Sequence, residues 1–110
     1  MEISTRKVND VLVVDMAGRL VTQTSGYASD EMVQIAKSGN TKVVLNLDKL
    51  EYISSAGLRI ILVAAKLLRT SGGEMKICHT NGSVYEVMET SGFKSLLPIY
   101  DSENDALTAF

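Results

Sequence analysis

The 110 residues suffice for one domain with a single hydrophobic core, and a composition of 45% hydrophobic and 22% charged residues is typical of a globular protein. The net charge of −2 argues against nucleic-acid binding, which usually requires a basic surface. With one cysteine and one histidine, Cys78 and His79, the sequence cannot form an internal disulfide and is poorly suited to bind zinc. We therefore expect no metal and no other cofactor.

The sequence shows neither a signal peptide nor a membrane-spanning segment. Its N-terminal residues do not combine basic side chains with an apolar run. No apolar run reaches the roughly 18 residues that are needed to cross a bilayer. These features predict a cytoplasmic protein without direct membrane insertion, folded as a single domain over residues 1–110.

The first half of the chain predicts a hairpin, a helix and a buried strand. Residues 1–7 and 11–16 are typical of strands, and the intervening KVND has residues that favour a turn. Residues 24–37 carry apolar side chains at helical spacing, with Thr24 or Ser25 as cap and Gly39 as the left-handed residue at the end. Residues 41–47, TKVVLNL, indicate a strand covered on both faces.

The second half begins with a long helix, which is predicted from Ser55 to about Thr70 and ends at the Gly72–Gly73 pair. Residues 74–80 alternate as in a strand, so Cys78 and His79 should point to opposite faces.

Three shorter elements complete the chain. A helix is predicted over 82–93, with Asn81 or Ser83 as cap and Gly92 as stop. An edge strand over 96–100 and a closing helix over 101–110 follow it.

Strands thus alternate with helices after an opening hairpin. This order predicts an α/β fold with a mixed, mostly parallel sheet of about five strands and about four helices. Binding sites in such sheets lie beyond the carboxyl ends of the strands. The turn ISSAG, residues 53–57, follows the buried strand closely and should therefore lie at this edge.

The segment YISSAGL, residues 52–58, places two hydroxyls and two small residues at the start of an apolar helix. Ser54 or Ser55 can act as a plain N-cap, with the small residues packing helix against sheet, and the pattern alone favours this interpretation. Alternatively, Ala56 and Gly57 expose backbone for the close approach of another protein or a phosphoryl donor. A phosphate would be stabilised there by the helix N-terminus.

The sequence offers little equipment for catalysis. It contains no dinucleotide fingerprint, P-loop or Cys–His metal cluster, and nothing places a base beside either serine. On the long helix, Arg59, Lys66 and Val63 share one stripe. Because this helix is so apolar, it is either buried on most sides or keeps an apolar patch for a partner.

Taken together, these segments resemble the anti-sigma factor antagonist family, the bacterial STAS domains. The matching stretches are VLVVDMAGRL at 11–20, KVVLNLDKLEYISSAGLRIIL at 42–62, GGEMKICHTNGSVYEVMETSGF at 72–93 and DSENDAL at 101–107. The resemblance implies a STAS-like fold and a protein that regulates transcription by partner switching and is not an enzyme.

Members of this family bind an anti-sigma factor that is itself a serine kinase, and binding displaces the sigma factor. The kinase then phosphorylates a serine at the N-terminus of the second helix, which breaks the complex, and a serine phosphatase reverses the modification. The resemblance assigns the phosphoacceptor to Ser55, with Ser54 as the alternative, and the small residue and glycine of the motif to Ala56 and Gly57.

Two residues depart from the family pattern. Ser54 stands where the motif has aspartate, and Val21 stands where a G-x-L-D pattern has its carboxylate. The alternatives are therefore a structural subunit of a signalling or transporter complex without phosphorylation, or a small-ligand site for a nucleotide. We expect the partner-binding surface to comprise Thr24, Ser54, Ala56, Gly57, Arg59, Ile60 and Val63.

Overall fold

The computed structural model describes all 110 residues, except for the side chain of Lys94. One five-stranded sheet has the order β1-β2-β3-β4-β5, with helices packed on it. The elements are β1 (Glu2–Val8), β2 (Val11–Leu20), α1 (Thr22–Lys37), β3 (Lys42–Ile53), α2 (Ser55–Thr70), β4 (Glu74–Cys78), α3 (Gly82–Thr90), a 3₁₀ turn (Phe93–Ser95), β5 (Ile99–Tyr100) and α4 (Glu103–Thr108). The predicted α/β class, mixed sheet and opening hairpin are confirmed.

The hairpin is the only antiparallel pairing among the described strands. Val8 lies opposite Val11, so that Asn9 and Asp10 form a two-residue turn. Asn9 has a φ of 57°, a left-handed conformation that asparagine tolerates and that such turns require. The remaining strand pairs are parallel, which places the ends of β2, β3 and β4 at one edge of the sheet.

The two central strands are longer than predicted. β2 continues past residue 16 to Leu20, and β3 continues past residue 47 to Ile53. Their pairing shifts register between Asp15 and Ala17 and again after Gly18, whose φ is 103°. The apolar runs that indicate these strands end near residues 16 and 47, and the extensions include exposed charged residues such as Arg19, Asp48 and Lys49, which is why the predicted strands are too short.

Helices α1, α2 and α3 cover one face of the sheet and form the main core with it. Leu45, Leu47, Ile61 and Leu68 are among its fully buried side chains. On the opposite face a smaller cluster contains Val11, Val13, Val44, Cys78 and, from α4, Ala106. Within the described residues, no helix is long and apolar enough to span a bilayer.

The predicted start of α1 and the predicted end of β4 are wrong. Helix α1 begins at Thr22 instead of residue 24, and its N-cap is Val21 instead of Thr24 or Ser25. Thr24 is the third helical residue, and its hydroxyl accepts a hydrogen bond from the Val21 amide at 3.0 Å. β4 ends at Cys78, and His79 follows it with a φ of 57° that a strand cannot accommodate.

Glycines end the helices as predicted. Gly39, Gly72 and Gly92 all have positive φ, at 83°, 86° and 76°. After α2, the Gly73 amide also donates to the Leu68 carbonyl at 2.8 Å, which completes a Schellman motif. Helix α3 stops at Thr90 rather than residue 93, ahead of Gly92.

Candidate functional site at the start of helix α2

Ser54 connects the end of β3 to the start of α2. Its amide donates to the Leu20 carbonyl at 2.9 Å, which fixes the turn to the end of β2. Its hydroxyl accepts from the Gly57 amide at 3.2 Å and so caps the helix. Ser54 is half-buried, and its hydroxyl is engaged in this structural role.

Ser55 is the first helical residue and is exposed. No described residue forms a hydrogen bond with its hydroxyl. The amides of Ser55 and Ala56 precede any intrahelical acceptor, so they give this end of the helix its partial positive charge. Of the two serines, Ser55 is therefore the one that presents a free hydroxyl at a terminus that attracts anions.

Gly57 is buried, so the expectation that it exposes backbone to a partner is wrong. A Cβ atom at this position would lie 2.7 Å from Leu20 Cγ and 2.9 Å from Ile53 Cγ1. The glycine is needed because the first turn of α2 packs directly against the ends of β2 and β3. Ala56, beside it, is half-buried.

Beside Ser55 lies an apolar depression of about 250 Å³. Ser55 and Arg59, one turn apart on α2, form part of its wall, together with Leu58, Leu62, Ser91, Phe93 and Leu96. Arg59 is exposed, and Leu96 is the most exposed of the large apolar side chains, at 56%. An apolar surface with a cation and a free hydroxyl at its border is suited to protein contacts.

The other predicted surface residues differ in accessibility. Val63 is 46% exposed, and Ile60 is half-buried against the core. The Thr24 hydroxyl donates to the Arg19 carbonyl at 2.8 Å, so Thr24 serves the start of α1.

Sequence reasoning missed Arg19 and Leu96. Arg19 stacks its guanidinium over the ring of Tyr52, 4.9 Å from the centroid, on the edge next to Ser54. Leu96 follows the 3₁₀ turn, where no helical or strand periodicity indicates which side chains are exposed.

Two arginines are exposed near this turn, and the two carboxylates of the family pattern are absent. Val21 directly follows Leu20, whose carbonyl holds Ser54, so the two positions at which the family resemblance expects carboxylates lie on neighbouring chain segments. Arg19 and Arg59 are both exposed, Arg19 over the Tyr52 ring and Arg59 in the wall of the apolar depression beside Ser55. Among the described residues, no group of three acidic, cysteine or histidine side chains could hold a metal ion.

Comparison with known proteins gives consistent matches over the whole chain. The STAS domain family matches residues 2–106. BtrV of Bordetella bronchiseptica, a candidate anti-sigma factor antagonist, is 36% identical over 110 residues, which cover all of this chain and 95% of that protein. The anti-sigma F factor antagonist of Paenibacillus polymyxa is 35% identical over 109 residues, which cover 98% of this chain and 93% of that protein.

Solved structures agree in fold. The anti-sigma factor antagonist SpoIIAA in its unphosphorylated form has a TM-score of 0.79 at 18% identity, covering 96% of this chain and 93% of that one. The phosphorylated form of Bacillus SpoIIAA has a TM-score of 0.72 at 16% identity, with 98% of each chain covered. The chain therefore belongs to the STAS domain family, in the group of the anti-sigma factor antagonists.

Proposed function

We propose that the protein is an anti-sigma factor antagonist that binds a kinase-type anti-sigma factor through the start of α2 and is itself not an enzyme. The observation that carries this proposal is the exposed Ser55 hydroxyl, which lacks a hydrogen-bond partner among the described residues. The two relatives, both described as anti-sigma factor antagonists, support the antagonist part of this proposal. Partner contacts would come from Ser54, Ala56, Arg59, Ile60 and Val63, while Gly57 and Thr24 hold the surface in place.

The proposal includes reversible phosphorylation of Ser55 by the kinase partner. A new bond forms between Ser55 Oγ and the γ-phosphorus of ATP, ADP leaves, and the hydroxyl proton passes to a base of the kinase. A serine phosphatase reverses the modification by hydrolysis, which releases inorganic phosphate. This chain contributes only the acceptor oxygen.

A phosphate on Ser55 is compatible with the fold. It adds about 1.5 to 2 negative charges at the positive end of α2. Arg59 lies four residues further along the same face, the spacing and order that favour an ion pair between an anion and a cation. The phosphate thus reverses the local surface charge without a cost to folding, and like charges at an interface weaken binding by several kcal/mol.

A second candidate is an interaction subunit that is not regulated by phosphorylation. Ser54 and Val21 favour it, because the two carboxylates expected near the acceptor are absent from the sequence. A kinase that uses these carboxylates to align the hydroxyl or to bind a cation would not recognise Ser55.

Incubation with ATP and the anti-sigma factor that binds this protein, followed by peptide mass spectrometry, separates the candidates. We expect one phosphate on Ser55 in the parent protein and in Ser54→Ala, and none in Ser55→Ala. Stable binding without phosphorylation of any serine would favour the unregulated subunit. Phosphorylation of Ser55→Ala to the level of the parent would contradict the assignment.

A further inference from the structure

A groove runs along α2 from Ser55 to Gly73. It consists of three adjoining depressions of about 250, 70 and 460 Å³, and Leu96 lines all of them. One wall is α2, and the other is the segment from Ser91 to Pro98. We call this surface the basic groove.

A single face of α2 supplies the first wall. Its residues recur every three or four positions, as expected of one side of a helix, and extend over about 21 Å. They are Ser55, Leu58, Arg59, Leu62, Ala65, Lys66 and Arg69. The face thus combines apolar side chains with cations, and α2 contains no acidic residue.

These cations have no acidic partner within the part of the chain that the structure describes. The ion pairs found there involve Arg6, Lys42 and Lys76, and none involves Arg59, Lys66 or Arg69. Glu74, at the far end of the groove, is paired with Lys76. The three cations therefore give this face of α2 a positive charge, although the net charge of the protein is −2.

We propose that the basic groove binds an acidic segment of a protein partner, one whose apolar side chains fill the depressions around Leu96. Carboxylates of the segment would pair with Arg59, Lys66 and Arg69, and electrostatic complementarity of this kind sets specificity and speeds association. An anionic lipid surface fits less well, because the apolar side chains lie between two walls instead of on a projecting face.

The groove begins at Ser55, the proposed phosphoacceptor. This position suggests how phosphorylation of Ser55 affects binding of a partner in the groove. If the partner is the anti-sigma factor, a step that rests on the proposed function, a phosphate on Ser55 would compete for Arg59 and repel the first carboxylates of the segment. Release would then follow from competition at one end of the groove.

Two fluorescein-labelled peptides of fourteen residues test the groove on the intact protein. One carries glutamates and the other lysines, both with leucines at identical helical spacing. We expect saturable binding of the glutamate peptide, with amide shifts in NMR spectra at Arg59, Leu62, Lys66, Arg69 and Leu96. The lysine peptide should not bind.

A charge-matched pair of variants supplies the control. Lys66→Glu/Arg69→Glu should weaken binding of the glutamate peptide at least tenfold. Lys7→Glu/Lys37→Glu, which alters the net charge equally at exposed sites outside the groove, should weaken it less than threefold. Equal loss in both variants, equal binding of both peptides, or no saturable binding of either would overturn the proposal.

The same variants distinguish this inference from the proposed function. If the anti-sigma factor binds Lys66→Glu/Arg69→Glu as tightly as the parent and still phosphorylates Ser55, the anti-sigma factor is not the partner that occupies the groove, and the proposed function is retained. If the glutamate peptide binds in the groove but no anti-sigma factor binds the parent protein, the proposal that the groove binds an acidic segment is supported and the proposed function is wrong.

Discussion

The Ser54 amide donates to the Leu20 carbonyl at 2.9 Å. This bond connects the end of β2 to the residue that caps α2, and Gly57 packs against the same leucine. The position of the Ser55 hydroxyl therefore depends on the contact between the helix start and the strand ends. Substitutions at this contact should show which residues hold the site in place and which residues take part in its function.

Gly57→Ala should destabilise the fold. The new methyl group would lie within 3.0 Å of side-chain carbons of Leu20 and Ile53. Overpacking of a core commonly costs about 1–3 kcal/mol, which exceeds the gain of about 1 kcal/mol from the better helix propensity of alanine. The free energy of unfolding in urea should fall, and binding to the anti-sigma factor should weaken as the helix start moves.

Gly26→Ala in α1 is the matched control. A Cβ at Gly26 meets no atom within 4 Å, so the propensity gain should stand alone and stabilise the protein by up to about 1 kcal/mol. A Gly57→Ala protein that is as stable as Gly26→Ala would show that the packing described for α2 is wrong.

The two serines should differ in their effect on stability. Ser54→Ala removes the side-chain cap on Gly57 and should cost about 1 kcal/mol. Ser55→Ala removes a hydroxyl without a hydrogen-bond partner among the described residues and should change stability by less than about 0.5 kcal/mol. Thermal unfolding of both variants measures the difference. A larger loss of stability in Ser55→Ala than in Ser54→Ala would show that Ser55, and not Ser54, caps the helix.

Glu103 should make stability depend on pH. Hydrogen bonds from Arg6 hold the pKa of this carboxyl below its ordinary value of 4.5, and the Asn46 amide also donates to it, at 3.0 Å. Because the folded pKa is lowered, the ionised carboxylate stabilises the fold above pH 4.5. That contribution is lost as the pH falls through the folded pKa.

Glu103→Gln should therefore lower the free energy of unfolding by on the order of 1–2 kcal/mol at pH 7. The difference from the parent should shrink as the pH falls below 4.5, the ordinary value for this carboxyl. Glu31→Gln, at an exposed position on α1, is the control and should change the free energy of unfolding little at pH 7. A constant difference for Glu103→Gln down to low pH would contradict the interaction with Arg6.

Cys78 should be unreactive in the folded protein. It is fully buried, and burial raises the pKa of its thiol to about 12, with Glu103 adding to the shift. Since the thiolate is the reactive form, disulfide reagents at pH 8 should modify Cys78 slowly in the native protein and rapidly in denaturant. Equal rates would show that the face of the sheet under α4 is open.

Sequence alone predicted the fold class, the hairpin and the bounds of α2, because these depend on periodicity and on glycine stops. It underestimated the lengths of β2 and β3, since their final residues include exposed charged side chains that end the apolar runs by which buried strands are identified. At the site, the pattern singled out both serines but could not assign their roles. Those roles depend on which hydroxyl reaches the Gly57 amide, and that is set by the turn geometry. The burial of Gly57 was equally unpredictable, because it depends on contacts with residues distant in sequence.

The affinity of the anti-sigma factor for the protein, measured with and without a phosphate on Ser55, is the decisive test of whether phosphorylation of Ser55 releases the partner. We predict that phosphoserine at residue 55 weakens binding at least about 100-fold, or about 2.7 kcal/mol, while the melting temperature stays unchanged. Equal affinity of the two forms, in proteins that are equally well folded, would contradict the account.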